Sequence, residues 1–330
     1  MPDSAAPSEA IVANTVEKLL LAAPRGYCAG VDRAVQTVER ALEVHGPPVY
    51  VRKEIVHNKH VVEQLRARGA VFVAEETEIP RGAVAVFSAH GVAPSVRANA
   101  QELELQTIDA TCPLVTKVHV EAQRFARDGY TIVLVGHEGH EEVEGTMGEA
   151  PERIVLVQSE ADVDLLEVED PERVAYITQT TLSVDETGAI IARLRERFPS
   201  AVGPRTEDIC YATTNRQAAV KKMARECELV LVIGSRNSSN SQRLVEVARD
   251  CGAEAELVDS ASEVREEWLR EKRIVGISSG ASAPEELVEE LVGFFRERGV
   301  ADVSELRVTS EDVRFMLPKN IREALAGRAP

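Results

Sequence analysis

The chain has 330 residues, 44% hydrophobic and only 4% aromatic, with 38 basic against 55 acidic side chains and a formal net charge of −17. Such acidity argues against nucleic acid or an anionic membrane surface as partner, since both are polyanions. The length exceeds what one hydrophobic core organises, and no apolar run approaches the roughly 20 residues of a membrane span.

In chain order, the first 17 residues lack the basic start and apolar stretch of a signal peptide and read as a disordered cytoplasmic extension. LLLAA (19–23) predicts a strand, PRGYCAGV (24–31) a turn carrying Cys28, and DRAVQTVERALEVHG (32–46) a helix. Strands follow at 48–51, 70–73 and 83–90, with a helix over 58–69. DATCPLV (109–115) brings Cys112 to the start of a helix over 115–129; strands at 131–136, 153–157 and 174–179 and a helix over 186–198 come next. DICYATT (208–214) repeats the junction with Cys210 ahead of a helix over 214–227. Strands at 229–234, 253–258 and 273–279 and a helix over 241–252 complete the pattern, several helices ending at Gly. The alternation predicts an α/β fold of three similar domains with mostly parallel sheets: 18–112, 113–209 and 210–300, followed by a C-terminal segment over 301–330.

The polar clusters recur in one place. FSAHGVAPS (87–95), VGHEGHEEVEG (135–145), ITQTTLS (177–183), IGSRNSSNS (233–241) and ISSGASAPE (277–285) all follow candidate strands, the edge at which open α/β sheets bind ligands.

Five cysteines are too few and too scattered for a disulfide framework, which points to a reducing compartment. Cys227 and Cys251 lack polar or electropositive neighbours and read as packing residues. Cys28, Cys112 and Cys210 occupy matching junctions at helix starts, where the helix dipole favours thiolate. A nucleophilic role needs one cysteine, so three point to metal, with zinc and an iron–sulfur cluster both open. Three thiolates leave one coordination position free for chemistry.

His57, His90 and His140 lie in the post-strand loops; His45, His60 and His119 read as surface or packing residues and His137 as structural in its turn. Ser238, Ser239, Asn240 and Ser282 stand just before helices, as caps or as an anion site. Neither a P-loop nor a dinucleotide fingerprint is present, so a small phosphorylated substrate fits better than ATP or NAD. Glu142 and Thr180 have the chemistry to move protons, while in isolation a Glu in a loop that also holds Glu138, Glu141 and Glu144 reads as a solvated residue. On residues alone, a zinc-dependent phosphoester hydrolase and a non-catalytic, cluster-based redox sensor both stay open.

Taken in order, PRGYCAGVDRAV, EIVHNKHVV, FSAHGV, DATCPLVTKVH, GHEGHEEVEGTMG, TQTTLSVDET, DICYATTNRQ, GSRNSSNSQRL and GISSGASAPE resemble the 4-hydroxy-3-methylbut-2-enyl diphosphate reductases of the non-mevalonate isoprenoid pathway. The resemblance runs over residues 18–318. It implies a trefoil of domains around a [4Fe–4S] cluster held by Cys28, Cys112 and Cys210, with one iron open and air converting it to [3Fe–4S]. It further implies that His57, His90, His140, Thr180, Ser238, Ser239, Asn240 and Ser282 surround an allylic diphosphate. Glu142, Thr180 and His140 would serve catalysis, Glu142 relaying a proton, and the products would be isopentenyl and dimethylallyl diphosphate. Ferredoxin or flavodoxin would supply electrons in the cytoplasm. VRFMLPKNIREAL (313–325) resembles the closing segment that packs back on the first domain, with a disordered end. Glu141 departs from the pattern, standing where many members have proline.

Overall fold

The structure is a computed structural model and describes residues 15–327. The extension expected over 1–17 lies outside the described residues up to position 14. Its last three residues are held: Thr15 Oγ1 donates to the Leu269 carbonyl at 2.9 Å, Val16 is buried, and the Glu17 N–H donates to the Arg273 carbonyl at 2.8 Å. At the other end, residues 328–330 lie outside the description.

The elements alternate along the chain: β1 (Lys18–Ala23), α1 (Ala29–His45), β2 (Val49–Arg52), α2 (Lys59–Ala67), β3 (Ala70–Val73), β4 (Val84–Phe87), α3 (Pro94–Glu102) and β5 (Gln106–Asp109). They continue with α4 (Pro113–Arg127), β6 (Thr131–Val135), α5 (Glu141–Met147), β7 (Ile154–Val157), α6 (Glu160–Leu165), β8 (Val174–Thr178) and α7 (Val184–Arg197). The remainder is α8 (Tyr211–Ala224), β9 (Leu229–Ile233), α9 (Ser239–Asp250), β10 (Glu254–Val258), α10 (Glu266–Leu269), β11 (Ile274–Ser279), α11 (Glu285–Glu297), β12 (Asp302–Arg307) and α12 (Lys319–Ala326).

The strands form three sheets, ordered β3-β2-β4-β5, β7-β6-β8 and β10-β9-β11-β1-β12, and every strand pair in them is parallel. β9 (LVLVI), central in its sheet, and β8 (VAYIT) are buried at every position, because parallel sheet is covered by helices on both faces.

Sheet membership differs from the chain-order division at both ends. β1, first in the chain, lies between β11 and β12 of the last sheet. Leu19 packs into one of that sheet's cores and Leu20 and Ala22 into the other, so this strand has the apolar cover of a central position. β12 and β5 were invisible to the apolar pattern, since both are edge strands with mostly polar sequences, DVSELR and QTID. From β12 the chain runs on to α12, whose Ile321 is buried in the core formed by Ala34, Val38 and Ala41 of α1.

Several helices start two or three residues earlier than their apolar periodicity suggests. Cys28, Cys112 and Cys210 are the N-cap residues of α1, α4 and α8. The stretch read as a histidine loop becomes helical directly after His140, the N-cap of α5, which places Glu142 in a first turn. Among the described residues no helix is long and apolar enough to cross a membrane.

Candidate active site

The carboxyl ends of strands from all three sheets open on one cavity. Its lining includes every residue singled out from the sequence: Cys28, Cys112 and Cys210; His57, His90 and His140; Glu142 and Thr180; Ser238, Ser239, Asn240 and Ser282. Cys210 is the one that does not directly follow a strand. It ends an extended stretch in which Val202 forms a single parallel bridge to Ala175 of β8.

Each cysteine is anchored through its backbone to a loop that also carries another lining group. The Cys28 N–H donates to the Ala281 carbonyl at 3.3 Å, Cys112 to Ala89 at 3.0 Å and Cys210 to Thr180 at 3.0 Å. Gly30 makes room between them: a Cβ there would stand 2.6 Å from the Cys112 sulfur and 3.8 Å from that of Cys28. Burial pushes the Cys112 thiol up to about 12 and the Cys210 thiol up to about 11, with the neighbouring thiol of Cys28 adding to both. Helix N-termini alone therefore do not ionise Cys112 and Cys210; enclosed thiols give up their protons to a cation. The three sulfurs do not all fall within 4.8 Å of one another. One tetrahedral ion draws its thiolates to about 3.8 Å apart, so the trio fits a multi-atom cluster better than a single zinc.

Glu142 is 2% exposed and accepts two hydrogen bonds from Thr180, at Oε1 from the backbone N–H (2.7 Å) and at Oε2 from the hydroxyl (3.0 Å). Burial raises its carboxyl to about 7, against the opposing pull of both Thr180 bonds. An acid that holds its proton near neutral pH and faces a cavity is equipped for general acid catalysis.

The imidazoles form a cluster. His57 and His90 stack at 4.1 Å between centroids, and His140 meets them edge-on at 5.5 and 5.8 Å. The Nδ1 atoms of His57 and His90 lie 3.1 Å from Glu54 Oε2 and Glu141 Oε2 respectively, whereas His140 Nδ1 accepts the Glu142 backbone N–H at 3.1 Å. Burial, reinforced by His90 and His57, depresses His140 to about 3, so it is neutral at any ordinary pH. Burial and then His90 also lower His57.

The hydroxyl and amide groups complete the lining. Ser238 caps α9, accepting the Ser241 N–H at 3.4 Å, so the capping reading holds for it. Ser239 Oγ donates to the Thr181 carbonyl at 3.3 Å, Asn240 Oδ1 accepts the Ala281 N–H at 2.9 Å, and Ser282 Oγ donates to the His57 carbonyl at 2.9 Å. The Ser239 and Ser282 bonds tie loops of different sheets together, the Asn240 bond joins two loops of one sheet, and the N-terminus of α9 lies at the cavity, a setting suited to an anion.

Sequence reasoning missed several contributors. Tyr211 OH accepts the Ala29 N–H at 3.3 Å, Thr213 contacts the Cys210 sulfur through its N–H (3.4 Å) and hydroxyl (3.2 Å), and Phe315 reaches the cavity from the segment after β12. Tyr211 and Thr213 stand within DICYATT, so the motif contained them, but residue type alone did not mark them. His119, taken as surface or packing, is buried and paired through Nδ1 with Glu149 at 2.7 Å.

A proton donor buried beside a pocket for an anion is catalytic equipment, so fold and cavity together define a class: α/β enzymes acting on small anionic substrates. The chain belongs to the LytB protein family, whose profile matches residues 19–296. It is 61% identical over 311 residues to a 4-hydroxy-3-methylbut-2-enyl diphosphate reductase of Nocardia farcinica, covering 94% of this chain and 93% of that one. A reductase of the same description from Leifsonia xyli is 60% identical over 313 residues, with 94% and 93% covered. Among solved structures, the E-1-hydroxy-2-methyl-but-2-enyl-4-diphosphate reductase of Plasmodium falciparum superposes with a TM-score of 0.92 at 37% identity, over 95% of this chain and 99% of that one. A second, described as (E)-4-hydroxy-3-methyl-but-2-enyl diphosphate reductase, the terminal enzyme of the non-mevalonate pathway, gives 0.61 at 31% identity, over 86% and 100%.

Proposed function

We propose that this chain is the 4-hydroxy-3-methylbut-2-enyl diphosphate reductase of its organism, the terminal enzyme of the non-mevalonate pathway, and that the cavity described above is its active site. The reaction removes an allylic hydroxyl as water, consumes two electrons and two protons, and leaves isopentenyl and dimethylallyl diphosphate. The single observation that carries the assignment to this cavity is the buried Glu142 carboxyl, protonated near neutral pH, in the same enclosure as the three cysteines.

Cys28, Cys112 and Cys210 would hold a [4Fe–4S] cluster, which supplies electrons singly and Lewis acidity at an iron that no cysteine holds. The rest is work for side chains. His57, His90, His140, Ser238, Ser239, Asn240 and Ser282 bind the diphosphate and fix the hydroxyl end toward the thiols. Glu142 delivers the proton from its carboxyl to the departing hydroxyl, and Thr180, bonded to both carboxyl oxygens, keeps it aimed. Closure of the cavity by loops from three sheets keeps bulk water away from the reduced carbon skeleton. Electrons arrive from a separate donor, ferredoxin or flavodoxin, because the chain carries no nicotinamide or flavin motif, and the reaction is placed in the cytoplasm.

The test is anaerobic turnover of 4-hydroxy-3-methylbut-2-enyl diphosphate with dithionite and a viologen mediator, with iron and sulfide assayed on the same sample and Cys112→Ser run beside it. Conversion to the two isomeric diphosphates by the wild type and none by the variant is expected. A cluster-loaded wild type that leaves the substrate untouched would overturn the assignment.

A further inference from the structure

Three histidines that look alike in the sequence are wired in two different ways. A neutral imidazole carries one N–H, and the partner at one ring nitrogen decides where it sits. His140 Nδ1 accepts the Glu142 backbone N–H, so its proton resides on Nε2 and it is a donor from that atom while uncharged. His57 and His90 face carboxylates through Nδ1, and a carboxylate accepts only, so their proton resides on Nδ1. Their Nε2 atoms are then bare lone pairs. Toward an anion such an atom is repulsive unless it too is protonated.

We propose that Glu54 and Glu141 are positioning residues that make His57 and His90 take up protons from solvent as the phosphate oxygens arrive, turning both into imidazolium donors at Nε2. The inference rests on the reading of the cavity as a diphosphate site. The surroundings are built for this change. Both carboxylates lie below their ordinary range. For Glu54 the His57 hydrogen bond is the leading cause; for Glu141 burial pushes upward but is outweighed by the bond from His90 and the charges of His90, His57 and Lys53. Asn237 Nδ2 donates to Glu54 Oε2 at 2.8 Å and Ser88 Oγ reaches Glu141 Oε2 at 3.5 Å, which orients the acceptors. Lys53, paired with Glu144 at 3.7 Å, and the neutral His140 are the other titratable groups facing the pair. Without an anion, two stacked imidazolium rings 4.1 Å apart repel, and burial keeps His57 neutral. With an anion the added charges are matched on both sides of each ring, by carboxylate at Nδ1 and phosphate at Nε2.

The experiment is calorimetric titration of the cluster-loaded enzyme with inorganic pyrophosphate at one pH in buffers of different ionisation enthalpy, which counts protons exchanged on binding. Wild type, Glu141→Gln and Glu54→Gln are compared, each checked for iron and sulfide content. Glutamine keeps an acceptor for Nδ1–H and removes the charge, so either variant is expected to take up roughly one proton fewer than wild type and to bind about 10- to 100-fold more weakly. In turnover assays the loss should fall on KM, with kcat within about threefold of wild type. If Glu141→Gln does not load its cluster, Glu54→Gln reads the same quantity through His57. Equal proton uptake in all three proteins would overturn the inference. So would pyrophosphate binding that requires added Zn²⁺ or Mn²⁺ and vanishes with a chelator, because His57, His90 and Glu141 offer ligand atoms within 4.8 Å of one another and would then be holding an ion. A wild type that binds no pyrophosphate at all would instead sink the diphosphate reading on which the inference stands.

Discussion

Glu142 and Thr180 are locked together in full burial, one residue offering both its N–H and its hydroxyl to the two oxygens of the other. The carboxyl cannot swing away to water, and its raised value of about 7 leaves it largely protonated below neutral pH and ionising through it. Turnover should therefore be level below pH 7 and fall as pH rises through that value, since the ionised form has no proton to deliver. Glu142→Gln should lower kcat by about 10²- to 10⁴-fold and remove this limb from the pH profile, with iron content unchanged. A residual activity that still falls above pH 7 in the variant would mean that another group supplies the proton.

The same shift has a stability consequence of fixed sign. A carboxyl whose folded value is raised adds nothing unfavourable below its unfolded value of 4.5, costs stability as pH climbs from there to about 7, and costs no more above it. Wild type should lose melting temperature between about pH 4.5 and pH 7.5 relative to Glu142→Gln and run parallel to it at higher pH, compared as metal-free proteins by calorimetry. Curves parallel over the whole range would show that Glu142 ionises without penalty.

Gly30→Ala tests the thiol trio without touching a thiol. Alanine favours the helix by about 1 kcal/mol, so propensity alone predicts a more stable α1. Its Cβ would stand 2.6 Å from the Cys112 sulfur, which must move. Iron and sulfide should be largely lost while the far-ultraviolet circular dichroism spectrum stays that of the wild type. Full loading of this variant would place the cluster ligands elsewhere.

Cys227→Ala supplies the contrast. This thiol is buried among Val230, Met223 and Ala219, away from the cavity. The substitution should cost about 1 kcal/mol in urea unfolding, the scale of a small core truncation, and leave iron content and turnover at wild-type levels.

Arg216 is fully buried and joins three places. Its guanidinium donates to the Gly26 carbonyl (2.6 and 3.1 Å), to Ala212 within α8 (3.0 Å) and to Glu311 in the segment after β12 (3.0 Å). Arg216→Met should destabilise by about 3 kcal/mol, because it leaves the buried Gly26 carbonyl without its donor and Glu311 held by the Asn215 amide in place of a cation. Its cluster should bleach in air several times faster than that of the wild type, since Phe315 on the same segment no longer covers the cavity. Glu311→Gln, which keeps a neutral acceptor, should show a smaller loss on both measurements.

The parallel α/β winding was legible because buried strands such as LVLVI and helices with apolar stripes declare their periodicity. β5 and β12 did not, since an edge strand has one open side and tolerates Gln, Asp and Ser. The grouping of the site residues was legible because post-strand loops share one sheet edge. Their partners were harder to see: Glu54 stands three residues before His57 in one loop, yet nothing in the sequence turns it toward the ring, and Glu141 becomes the companion of His90 only because α5 approaches the loop after β4. The placement of β1 in the last sheet could not be read from chain order, because hydrogen bonding between strands leaves no mark in either strand alone.

That placement also sets a timetable. β1 leaves the ribosome well ahead of both of its neighbours, β11 and β12. Cys28 follows β1 directly, and its N–H is tied to Ala281, which is made some 250 residues later. Cys112 and Cys210 can take their places while synthesis continues; Cys28 waits for β11 and β12. Whatever the three thiols carry is received after those strands are made, and a chain cut short before β12 is born without a home for it.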